Sequence, residues 1–67
     1  MTTTQKDLAR LLVNCRVEKE LAMAILIALQ KSEYLMKQMS RYIMENNPTE
    51  TQVMEKFVEM VKNEQRP

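Results

Sequence analysis

The residues LAMAILIAL at positions 21–29 are the stretch of sequence that decides the fold. These nine residues form the longest apolar run in the chain and fall far short of the roughly 20 that a membrane-spanning helix needs. Because a helix that is apolar nearly all round is buried on all sides, we expect a helix over residues 17–30 at the centre of the fold. Two stripes at helical spacing run along this segment. The first consists of Val17, Leu21, Ala24, Ile25 and Ala28. The second consists of the apolar residues Met23, Leu26 and Ile27 and of Gln30, which follows them at the same spacing.

The second of these stripes has two interpretations. In one, the other helices of the same chain cover it. In the other, it faces a partner, most simply the same helix of a second copy across a twofold axis. The second interpretation predicts a partner-binding surface made of Met23, Leu26, Ile27 and Gln30.

A first helix is predicted before this segment, over residues 5–14. Thr4 and Asp7 have the spacing of a capping box at its start. An apolar stripe follows at Leu8, Leu11, Leu12 and Cys15. The phase of that stripe breaks near Asn14, and asparagine tolerates the left-handed backbone at a helix end, so we expect the junction at Asn14. Cys15 completes the stripe and is interpreted as an inert core cysteine.

Two further helices are predicted after the apolar run, over residues 33–46 and 50–63. Ser32 suits the N-cap of the third helix, and Thr49 with Gln52 has capping-box spacing at the start of the fourth. Pro48 and the two asparagines before it break the chain between them. The predicted fold is therefore an all-α, compact bundle of four short helices, with the second helix central. We expect residues 1–67 to form a single domain whose ends, 1–4 and 64–67, are frayed.

The composition excludes most kinds of functional site. The chain has no histidine and one cysteine, so it lacks the common general base, the Ser-His and Cys-His arrangements, and the usual zinc ligand sets. The absence of glycine removes the glycine-rich phosphate loop. We therefore expect no enzyme activity and no catalytic residue, metal, cofactor or small-molecule substrate.

The length and the net charge of the chain favour a protein as its partner. A chain of 67 residues that a disulfide or zinc ion cannot reinforce is commonly stabilised by oligomerisation. The formal net charge of +1 makes nucleic acid an improbable partner and offers no basic patch for a membrane. No secretory signal pattern is recognisable, so the expected location is the cytoplasm. The predicted function is a small non-catalytic protein-interaction module that self-associates or serves as an accessory subunit.

A DNA-binding regulator of helix-turn-helix type, acting as a dimer, is the alternative. Short helices joined by tight turns resemble that motif in outline. The apolar second helix has no polar groups with which to read bases, so the third helix would supply the contacts. The residues predicted to make these nucleic-acid contacts are Lys37, Gln38 and Arg41.

Overall fold

The computed structural model of the chain describes residues 2–64, which form four α-helices and no strand. The all-α bundle predicted from the sequence is confirmed. The helices are α1 (Thr3–Asn14), α2 (Lys19–Leu29), α3 (Glu33–Asn46) and α4 (Glu50–Glu64). Met1 and residues 65–67, on which part of the expected fraying falls, lie outside the described residues.

The first helix begins earlier than the sequence predicts, because Thr2 rather than Thr4 is its N-cap. The Thr2 hydroxyl accepts from the Gln5 amide at 3.2 Å, and Gln5 Oε1 accepts from the Thr2 amide at 2.8 Å. Glutamine is one methylene longer than aspartate, so Gln5 can reach back to the cap where Asp7 is too short. Thr3 and Thr4 therefore lie within α1.

α1 ends at Asn14, as predicted, but the left-handed residue of the turn is Arg16 (φ 61°) and not Asn14. Arg16 N donates to Val13 O at 2.9 Å and Val17 N to Leu12 O at 3.1 Å, the two bonds of a Schellman motif. Such a motif packs the residue after the left-handed position onto the last turn of the helix. Because Val17 and Leu12 are both buried, the residue just before Val17 has to take the left-handed backbone.

The break between α3 and α4 is where the sequence predicts it. Asn47 ends α3 in the left-handed region (φ 44°, ψ 57°), and Pro48 is buried behind it. The Thr49 hydroxyl accepts from the Gln52 amide at 3.3 Å, while Gln52 Oε1 accepts from the Thr49 amide at 2.9 Å. At the other end of α3 the Ser32 hydroxyl accepts from the Leu35 amide at 3.3 Å, so both predicted caps are confirmed.

The core is built on the packing of α1 against α3, and the central position expected for α2 is not confirmed. Thr4 Oγ1, at the start of α1, donates to Glu33 Oε1, at the start of α3, at 3.0 Å, so the two helices begin side by side. α3 packs against each of the other three helices, and most extensively against α1. α2 covers one side of this pair with its inner face only. The fully buried large side chains are Leu8, Leu12, Ile25, Leu29, Met39 and Val53.

A carboxylate of α4 accepts a hydrogen bond from the backbone N–H at the start of α2. Glu18, the N-cap of α2, makes no side-chain capping bond, and its backbone N–H donates instead to Glu50 Oε2 at 2.7 Å. Glu50 is also the first residue of α4, so one negative charge lies near the N-terminal ends of two helices. Both helix dipoles favour a negative charge there.

The left-handed backbone of Arg16 leads to a stability prediction. An L-residue in this conformation costs roughly 1–2 kcal/mol, whereas glycine adopts it freely at an entropic cost of about 0.5–1 kcal/mol. We expect Arg16→Gly to raise the free energy of unfolding by about 0.5–1 kcal/mol in urea denaturation. Arg10→Gly, the same change at a right-handed position inside α1, is the control and should lower it by about 1 kcal/mol. Equal effects of the two variants would contradict the assignment of strain to Arg16.

The bond between Glu50 and the Glu18 amide leads to a second prediction. Glu50→Gln keeps the shape of the side chain but removes the charge that serves two helix N-termini. We expect a loss of about 1 kcal/mol in the free energy of unfolding, and a smaller loss at high salt. Glu55→Gln, on an exposed position in the middle of α4, should change stability by less than about 0.5 kcal/mol. Indistinguishable unfolding curves for the two variants would rule out this role for Glu50.

Candidate interaction surface

The outer face of α2 is exposed within the described part of the chain. Met23 is 51% exposed and Ile27 62% exposed, whereas Ala22, Ile25 and Leu29 on the inner face are buried. In residues 2–64 the other helices therefore leave Met23 and Ile27 of the second stripe largely uncovered. α2 packs against α1 and α3, and its buried residues belong to the same core cluster as theirs.

The four residues predicted to bind a partner come together in space. Met23, Leu26, Ile27 and Gln30 line one shallow depression of about 190 Å³. Gln5 of α1 completes its lining, and the sequence pattern of α2 could not have indicated it because Gln5 belongs to a different helix. Leu26 is half-buried and packs against the core, so it joins the depression to the interior. We call these five residues the α2 surface.

The α2 surface is apolar and uncharged. Its lining contains three aliphatic or thioether side chains and two uncharged amides. Ala24, on the same side of the helix, is exposed and small. Removing such a surface from water is favourable, and the surface has no group that titrates near neutral pH.

The residues of the nucleic-acid alternative are also brought together. Lys37, Gln38 and Arg41 line one depression on α3 with Tyr34, which is 69% exposed. Gln38 Nε2 donates to the Tyr34 hydroxyl at 3.3 Å, one helical turn away. This bond orients the amide along the helix surface.

The apolar sector of α4 is wider than the part of the helix surface that packs against the core. Val53 and Met60 are buried and Phe57 is half-buried against the core. Met54 and Val58 of the same sector are exposed. Sequence periodicity marks all of these positions alike, because it reports a sector and not the width of the contact.

No site for a metal ion or a membrane span is seen in the residues that the structure describes. Within 2–64, no cluster of three or more cysteine, aspartate or glutamate side chains is placed to hold a metal ion. None of the helices in this range combines the length and the apolar character needed to cross a bilayer. Cys15 is half-buried at the end of α1 and packs against the core.

The chain was compared with protein-family models, with curated proteins and with solved structures, and none of them matches it.

Proposed function

We propose that this chain is a non-catalytic protein-interaction module that self-associates through the α2 surface. The observation that carries the proposal is the exposure of Met23 and Ile27 on a helix that buries Ala22, Ile25 and Leu29 in the core. Removing apolar area from water contributes about 25 cal/mol per Å². Two large side chains, clustered with Leu26 around one depression, form a continuous patch rather than scattered exposed residues.

A second copy of the chain is the partner that this surface fits best. None of its five lining residues is charged, so two copies can bring the same surface together without like-charge repulsion. The formal net charge of +1 adds little long-range repulsion between copies. A twofold contact uses the same patch on both chains, which requires self-complementarity of this kind.

The order of residues along α2 supports an antiparallel arrangement. When two copies of α2 cross antiparallel with the twofold axis midway between Ile25 and Leu26, Ala24 of each copy lies opposite Ile27 of the other. A small side chain then faces a large one twice across the axis. Alanine allows the helix backbones to approach closely, and Ile27 fills the space above it.

The size of the surface indicates a weak dimer. α2 has 11 residues and is therefore about 16 Å long. A contact centred on one short helix belongs at the small end of specific interfaces, below about 1,200 Å² in total. Since a partner that binds only the folded chain stabilises it by mass action, even a micromolar dimer would raise the stability of so small a domain.

We assign this module to the cytoplasm, where a chain with one cysteine needs no disulfide.

The test is to place a charge in the middle of the α2 surface. Ile27→Glu buries a carboxylate against its counterpart in a dimer but leaves it in water in the monomer. We expect the wild-type chain to change from monomer to dimer with rising concentration in size exclusion with light scattering. The variant should stay monomeric, with its dissociation constant raised at least about 100-fold, and keep its helical circular dichroism.

Tyr34→Glu is the matched control, because Tyr34 is as exposed as Ile27 and lies on α3 outside the α2 surface. It should dimerise like the wild type. A wild-type chain that remains monomeric up to millimolar concentration would disprove self-association. A dimer that Tyr34→Glu abolishes and Ile27→Glu does not would move the interface to α3.

A further inference from the structure

A groove of about 470 Å³ runs between α1 and α3, away from the residues of the α2 surface. On each helix its lining spans eight positions, from Thr4 to Leu11 and from Lys37 to Met44, which is a length of about 10 Å. The volume is within the usual range for small-molecule sites, about 300–1,000 Å³. The remaining lining residues are Asp7, Arg10, Ser40 and Arg41.

The charges around the groove favour an anion. Arg10, Lys37 and Arg41 line the groove with one carboxylate, that of Asp7. A second carboxylate, that of Glu33, lies at its end, where it accepts from the Thr4 hydroxyl. Among residues 2–64 none of these three cations forms an ion pair. Guanidinium groups on both helices, one at Arg10 and one at Arg41, can offer parallel N–H donors to a carboxylate.

Ser40 lies in the wall of the groove between the cations of α3. It is only 9% exposed, and its hydroxyl is the one buried side-chain polar atom in the described range that lacks a hydrogen-bond partner. A serine inside a helix commonly bonds to the carbonyl one turn back, but the Ser40 hydroxyl makes no such bond. A buried hydroxyl without a partner lowers stability, so Ser40 serves below as a variant that alters the wall of the groove without altering its charges.

The apolar part of the groove restricts the kind of anion. Leu11 and Met44 line it beside the cations, and Met44 is a largely exposed apolar side chain. We propose that the α1–α3 groove binds a small amphipathic carboxylate. The carboxylate lies among Arg10, Lys37 and Arg41, and the apolar part lies on Leu11 and Met44. A phosphodiester chain is less suited, because it repeats its charge along its length and has no counterpart to Leu11 and Met44.

The test is a titration of the isotope-labelled chain with octanoate, followed by amide NMR shifts. To keep the α2 surface out of the measurement, the Ile27→Glu chain is used beside the wild type. We expect saturable shifts at Leu11, Ser40 and Met44, with a dissociation constant on the order of 1 mM, as befits so small a ligand. Acetate, which lacks the apolar part, and octylammonium, which reverses the charge, should not saturate these shifts in the same range.

Two variants examine the charges and the wall of the groove. Arg41→Glu should weaken the binding of octanoate about tenfold. Lys19→Glu, the same reversal of charge at an exposed site on α2, should leave the affinity for octanoate unaltered. Ser40→Ala should leave the affinity for octanoate unchanged and raise the melting temperature by a few degrees, because it removes a buried unpaired hydroxyl that the ligand does not touch.

Three outcomes would overturn the proposal. Octylammonium binding as tightly as octanoate would show a merely apolar surface. Octanoate shifts confined to Met23 and Ile27 would place the ligand on the α2 surface. Retardation of a labelled DNA duplex that Arg41→Glu abolishes, without saturable binding of octanoate, would assign these cations to nucleic acid instead.

Discussion

The packing of α1 against α3 is the contact on which the other parts of this structure depend. Leu8 and Leu12 of α1 are fully buried, and they meet Met36, Met39 and Ile43 of α3 in one cluster. The two helices are separated in sequence by all of α2, so the chain has to reverse twice to bring them together. The Schellman turn at Arg16 makes the first reversal, and it does so with a residue that carries a β-carbon because the chain has no glycine.

Both proposed surfaces follow from this contact. With α1 and α3 paired, only one face of α2 finds room in the core, and Met23 and Ile27 remain in water. The same pairing leaves a groove along the line where α1 and α3 meet, and it brings Arg10 of one helix near Lys37 and Arg41 of the other. The α2 surface is apolar and uncharged, whereas the groove combines charge with apolar contact. We therefore propose different partners for the two surfaces, a second copy of the chain and a small anion.

Local signals in the sequence were sufficient for much of the fold. The bounds of α3, the N-cap at Ser32 and the capping box of Thr49 with Gln52 follow from residues a few positions apart, because the bonds concerned are themselves local. The errors fall where a local signal was ambiguous. Three threonines in succession offer three possible caps, and only Thr2 has a partner of the right length in Gln5. Asn14 is a better left-handed residue than Arg16 by intrinsic preference, but burial of Val17 overrides that preference.

By itself the sequence determined four helices and the four residues of the outer stripe of α2, because helical periodicity assigns each side chain to a face. The predicted inner stripe was partly wrong, since Ala24 is exposed, whereas Ala22 and Leu29, which belonged to neither stripe, are buried. It also determined that the chain has no histidine and one cysteine, so that a Ser-His or Cys-His pair cannot be built within it. Tertiary structure alone decided which face of α2 is buried, that Gln5 joins its outer face, and that Ser40 lies buried without a partner in a basic groove. The physical reason is that periodicity describes one helix at a time. The contacts between helices depend on how all of their faces compete for the same small core.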